Sequence, residues 1–202
     1  MALSILYKNL KTRNIELKRQ FLGFALADSP LPENQDKLRA YRVLIHAEME
    51  HYFENCVKDV IDFASQEYRK NKKILPALKY LMLYAPNKFQ SDQYLSIDER
   101  ILSVMQSFND KIKKNHGIKQ ENIIQLVVPL GVTQVYLDNS WLATMDSFGS
   151  KRGEVAHNSY SVCRLIDKQV EINEIENVLT GFKRLPVLCG CLKKVNKNLR
   201  FP

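Results

Sequence analysis

Arg152 and His157 stand five residues apart in Ser150-Lys151-Arg152-Gly153-Glu154-Val155-Ala156-His157-Asn158. Their types suit the cleavage of RNA without metal. The 2′-hydroxyl beside the scissile phosphate must lose a proton to attack phosphorus, and the departing 5′-oxygen must gain one. An imidazole, with a pKa of roughly 6.5, can do either near neutral pH. The charge growing on the phosphoryl oxygens calls for a permanent cation with a flat, two-pronged donor face, which is a guanidinium. A free 2′-hydroxyl also separates RNA from DNA as substrate.

Spacing limits what one copy of this pair can do. Positions five apart on a regular helix differ by about 140° in direction and roughly 7.5 Å in rise. An arginine at or before a helix start, loosened by Gly153, could curl back. One motif still holds one histidine, whereas acid and base together want two. A two-fold homodimer would supply both imidazoles and both guanidiniums to one composite site. The plainer reading is a charged helix start with a surface arginine and a half-buried histidine. Arg39 and His46, with six residues between them, show that such pairs arise elsewhere in the chain.

Two other constellations compete. Arg42, His46 and Glu50 in "RVLIHAEMEH" recur at i, i+4 and i+8 and share one helix face. Neither HExxH nor HxxEH can be read there. The expectation is a polar line at a helix seam, with His46 bonded to Glu50. Glu48-x-x-His51 and Glu154-x-x-His157 are two Glu-x-x-His pairs about a hundred residues apart. Di-iron carboxylate bundles use two such pairs plus two further glutamates. Those extra carboxylates are hard to find, since Glu16, Glu99 and Glu121 fall near helix ends or amid exposed charge.

The elements that must position these residues read as helices. Leu6, Leu10, Leu17, Phe21 and Phe24 line one side of a helix over 3–24. "DSPLPEN" (28–34) breaks the chain. A long central helix follows over about 35–70, with the stripe Leu38, Tyr41, Leu44/Ile45, Met49, Tyr52/Phe53, Cys56, Val60 and Ala64. A short apolar helix begins at "PALKYLMLYA". Ser96 and Glu99 have capping-box spacing for a helix to about Asn115, closed by Gly117. Pro129 and Gly131 stop a buried helix over 121–131, and Asp138 caps "NSWLATMDSF". Asn173 and Glu176 again have capping-box spacing and predict a last helix over 173–202, bent at Pro186. The segment 159–172 holds at most a short extended piece. The expected fold is an all-α helical bundle with a long central helix pair, formed by 1–202 as one domain.

Composition bounds the rest. The 202 residues are 45% apolar, enough for a real core, and hold seven Gly and seven Pro, too few for a loop-rich chain. No apolar run reaches the roughly 18 residues that cross a bilayer, so no membrane is expected. The start "MALSILYKNLKTRNIELKRQ" is broken by charges and is not read as a secretory signal; a cytoplasmic location follows. Cys56 falls on the apolar stripe, and Cys163, Cys189 and Cys191 lack CxxC spacing, so neither zinc nor another cofactor is expected. A net charge of +8 fits a polyanionic partner. Beyond Glu176 stand only basic charges: Lys183, Arg184, Lys193, Lys194, Lys197 and Arg200. They are a solvated face with a basic tail, or phosphate contacts.

Taken in order, "RVLIHAEMEHYFE" on the long helix, the apolar "IIQLVVPLG", a capped helix and "FGSKRGEVAHNS" resemble the HEPN superfamily, and within it the RiboL-PSP type. The likeness covers about 35–165. Its most specific parts are His-Ala-x-x-Glu at 46–50 and Arg-x4-His at 152–157. It implies an α-helical bundle that dimerises. It also implies a metal-independent endoribonuclease acting on single-stranded RNA, with Arg152 and His157 as the catalytic pair at the dimer interface. Lys151, Glu154, Asn158, His46 and Glu50 become candidates for supporting or RNA-binding roles. Toxin–antitoxin or antiviral defence is the implied setting, with an antitoxin or a larger effector as partner. Active members often carry a polar residue directly after the arginine, where this chain has Gly153. A binding module without catalysis and the di-iron bundle are the alternatives.

Overall fold

Hydrophobic periodicity and caps build the helices one by one. The computed structural model describes residues 4–84, 96–133, 137–158 and 164–183, with His157 described by its backbone alone. Among these residues it shows seven α-helices and no strand: α1 Ile5–Phe21, α2 Pro32–Asn71, α3 Pro76–Tyr84, α4 Ile97–Lys113, α5 Gln120–Val127, α6 Asn139–His157 and α7 Lys168–Phe182. Ser4 caps α1 by accepting from Tyr7 N. Pro32 opens α2, a position where its fixed φ suits the helix and its missing N–H costs nothing. Lys72, at φ 51°, turns the chain out of α2. The capping box at Ser96 and Glu99 is present with both of its bonds. Asp138 caps α6, accepting from Ser140 N at 2.9 Å and Trp141 N at 3.1 Å.

The chain divides into two compact units. One takes the residues up to Phe53, Gly117–Glu121 and Asp138–Arg184. The other takes Glu54–His116 and Asn122–Leu137. The core of the first is Leu10 and Leu17 of α1, Leu38, Tyr41, Ile45, Met49 and Phe53 of α2, Leu142, Met145 and Phe148 of α6, and Ile175, Val178 and Phe182 of α7. An edge-to-face aromatic chain runs through it, Tyr7–Tyr52–Phe182–Trp141, with centroids 5.3 to 6.1 Å apart. Gln35 fastens the stretch before α7 to the start of α2. Its amide donates to Ser29 O and Ile166 O and accepts from Ile166 N.

In the second unit Cys56, Val60 and Ile61 of α2 are buried, and α3 packs against α4 and against the turn that follows α5. α5 tightens into a 3-10 turn at Val128–Leu130 and ends at Gly131. That glycine holds φ 99°, and a Cβ there would strike the Tyr80 ring.

The long stripe is buried as read, with Ile45 rather than Leu44, 38% exposed, at the inward place the two shared. Two expectations are corrected. α7 starts at Lys168, not at 173. Asp167 is its cap, accepting from Val170 N at 2.8 Å, and Asn173 lies inside the helix as an acceptor for the Gln169 amide. The extended piece expected over 159–172 is therefore helical from Lys168 on. The bend at Pro186, the basic tail beyond Lys183, and Cys163, Cys189 and Cys191 lie outside the described residues.

Candidate functional site

α6 carries the Arg-x4-His segment at its C-terminal end, not at a helix start. Asp138 nucleates the helix fourteen positions before Arg152, and nothing stops it until Asn158, whose N–H bonds back to Glu154 O at 3.1 Å. Neither Gly149 nor Gly153 breaks it, since helix contacts tolerate an isolated glycine at about 1 kcal/mol. Because the helix is continuous, Arg152 and His157 occupy positions about 140° apart around its axis.

Arg152 extends the inward face of α6. Leu142, Met145 and Phe148 are buried at steps of three, and Arg152 follows Phe148 by four. Its Nε is buried and has no hydrogen-bond partner. Across from it on α2 stands His46, 2% exposed, its ring stacked on Phe148 at 5.7 Å between centroids. Burial first, and the charge of Arg152 second, push His46 down to a pKa of about 4, so the imidazole is neutral at pH 7. Its Nδ1 also lacks a hydrogen bond. Glu50 Oε2 lies 3.6 Å from that nitrogen, too far for the expected His46–Glu50 bond. The site thus joins a guanidinium and a neutral imidazole, each with an unsatisfied nitrogen, beside a half-buried carboxylate.

Arg42 is not part of that polar line. It reaches α7 and grips Glu171 with two bonds, Nε to Oε1 at 2.8 Å and Nη2 to Oε2. Lys151 is also engaged, donating to Glu174 Oε2 at 2.6 Å. Glu154 is half-buried and Asn158 is exposed just past the helix end. A Cβ at Gly153 would meet nothing within 4 Å, so the position after the arginine opens onto free space. Of the predicted site residues, the fold brings together His46, Glu50 and Arg152. It ties Lys151 to α7 and sets Asn158, exposed, just past the end of α6.

Glu48 accepts from Arg13 Nε at 3.0 Å, and His51 is exposed. Among the described residues no group of three or more His, Cys, Asp or Glu side chains is arranged to hold a metal.

Comparison with protein families gives one match, to the model described as RiboL-PSP-HEPN, over residues 8–185. The chain belongs to the RiboL-PSP-HEPN family. The match reaches from α1 past the end of α7, well beyond the segment that carried the resemblance. No curated protein and no solved structure matches the chain. Membership associates this HEPN chain with RNA-related, nuclease-type function. None of its described helices is long and apolar enough to cross a membrane.

Two features in and around the candidate site escaped sequence reasoning. Phe148 is the stacking partner of His46, and its only signal was a place in the apolar stripe four residues before Arg152. The Arg42–Glu171 pair spans 129 residues and had no local signal at all.

Proposed function

We propose that this HEPN chain is a metal-independent endoribonuclease that cuts single-stranded RNA as a homodimer. The observation that carries the reading is Arg152: a guanidinium on the inward face of α6, set against neutral His46, on the helix that His157 closes. The divergence of positions 152 and 157 around one helix supports a site assembled from two copies. In the reaction, one His157 takes the proton of the 2′-hydroxyl while the 2′-oxygen bonds to phosphorus. The partner's His157 gives a proton to the 5′-oxygen as its bond to phosphorus breaks. Arg152 balances the charge on the phosphoryl oxygens, and His46 with Glu50 positions it. The products are a 2′,3′-cyclic phosphate and a 5′-hydroxyl. A role in toxin–antitoxin or antiviral defence, restrained by an antitoxin or a larger effector, fits an activity of this kind.

Incubation with mixed RNA in EDTA, followed by end-group analysis for 2′,3′-cyclic phosphate, tests the proposal. His157→Ala should lower cleavage at least about 10²-fold while folding and dimerisation persist. A variant that cuts as fast as the parent ends this assignment. Gly153 favours a second reading, an RNA-binding module without catalysis, because it leaves the position after Arg152 without a polar group. That reading expects RNA to be retained with no cleavage products at any protein concentration.

A further inference from the structure

Away from Arg152, the second unit holds a cavity of about 700 Å³, within the range of roughly 300–1,000 Å³ that takes small ligands. Two helices supply most of its wall. Val104, Phe108 and Lys111 of α4 follow one another at steps of four and three and share one face. Asn122 and Leu126 of α5 stand four apart, and Pro129 lies in the turn that follows. Val104, Phe108, Leu126 and Pro129 are buried, and they make one part of the wall apolar.

The polar part is drawn together by a relay. Asn122 donates its amide to Asn115 Oδ1 at 3.2 Å, and Asn115 donates to Glu54 Oε1 at 2.8 Å. Asn122 is thereby held beside the end of α4, the end that carries Lys111, and keeps a second amide hydrogen to give. Val104 lies roughly 10 Å back along the same helix. The cavity is thus apolar at one end and cationic at the other. Lysines in the last turn of a helix ordinarily reach solvent and answer the dipole. Lys111 instead is half-buried in the cavity wall, where burial alone pulls its ammonium below the usual range. A cation held in this way gains from an anion that enters beside it.

The charge of that anion is limited. Asp110 is also in the wall and Glu54 stands behind Asn115, so a doubly charged head meets two carboxylates, while a single charge is matched by Lys111. A small inorganic anion would leave the apolar end unused. An uncharged apolar ligand would desolvate the ammonium further and give it no partner. We infer that this cavity binds a monocarboxylate with an apolar body, an aryl or medium-chain alkyl acid. Its carboxylate accepts from Lys111 and from the Asn122 amide, and its body lies against Phe108, Leu126 and Pro129. The site shares no residue with Arg152 or His157 and does not rest on the nuclease reading.

Calorimetric titration of the full chain with 1-naphthaleneacetate and with decanoate tests the site, each set against its primary amide and against acetate. At least one of the two acids should bind at least about tenfold more tightly than its amide, which lacks the charge, and than acetate, which lacks the body. Lys111→Gln should weaken binding of that acid about tenfold and leave binding of the amide unchanged, and Lys111→Arg should keep the preference for the acid. An unchanged melting temperature shows that the variants fold, and the comparison of acid with amide decides the matter without any variant. His157→Ala should leave the affinity unchanged, so a failed nuclease assignment and a failed cavity are told apart. Equal affinity for acid and amide, acid binding undiminished in Lys111→Gln, or a nucleoside 5′-monophosphate that binds more tightly than both acids overturns the inference.

Discussion

The charge of Arg152 on α6 bears on the buried ring of His46 on α2, and each of the two carries a nitrogen with no hydrogen bond. Two cationic groups cannot share such a space, so His46 stays neutral for the fold to form. Its folded pKa of about 4 lies below the unfolded value of 6.5. Between those values the unfolded chain binds the proton and the folded chain does not. Stability is therefore fully present above pH 6.5 and falls as the pH drops toward 4, by on the order of 3 kcal/mol from this group. His46→Gln should remove that part of the slope. Urea denaturation of both proteins from pH 4 to 7 checks it, and parallel curves would refute the neutral buried imidazole.

Arg42 and Glu171 form a buried charge pair, with side chains 9% and 2% exposed. Removing one partner strands a charge in the core. Arg42→Ala is expected to cost about 3–5 kcal/mol, whereas Arg42→Met with Glu171→Leu should cost far less. The comparison is made by equilibrium unfolding. A double variant as unstable as the single one would mean that the helices need the charges themselves.

Subunit mixing addresses the composite site. If two His157 side chains serve one reaction, a dimer with one His157→Ala chain is inactive. After exchange with an equal amount of that variant, only wild-type pairs cut, and activity per wild-type chain should fall to about half of its starting value. Independent chains would show no fall. The rate of cyclic-phosphate formation in equilibrated mixtures gives the answer.

Two glycines should respond in opposite ways to alanine. Gly153 sits in α6 with open space around it, so Gly153→Ala should raise stability by about 0.5–1 kcal/mol through helix propensity. Gly181 lies under the Trp141 ring, which a Cβ would strike. Gly181→Ala should destabilise by about 1–3 kcal/mol, because the indole is also held by its bond to Val178 O at 3.1 Å. Melting temperatures read both. Equal shifts of one sign would count against the packing described for Trp141.

Local rules made much of this fold legible. The inward stripe of α2, the capping box at Ser96 and the cap at Asp138 each follow from a few neighbouring residues. Where two local signals competed, spacing alone did not decide. Asn173 and Glu176 have the right types for a cap, but Asp167 stands earlier, beside a stretch that Gln35 pins in place. The partners of Arg42 and Lys151 lie on α7, 129 and 23 residues away, where no periodicity reaches. The orientation of Arg152 was partly legible, since it falls in step with Leu142, Met145 and Phe148. Its neighbour His46 was not, because that contact requires α2 and α6 to be packed first.

The far end of α7 is fastened from three directions. The Tyr7 hydroxyl donates to Leu179 O at 3.0 Å, the Tyr52 hydroxyl to Phe182 O at 3.2 Å, and the Trp141 indole to Val178 O. Helix termini ordinarily fray, since their last carbonyls answer only to water. Here rings from α1 and α2 occupy two of them, and the Trp141 ring of α6 holds the carbonyl just before, so unzipping at this terminus must first pry loose the aromatic centre. The backbone amides of α7 belong among the slowest to trade their hydrogens for deuterium, and a protease meeting the native chain will find no frayed end there to grasp.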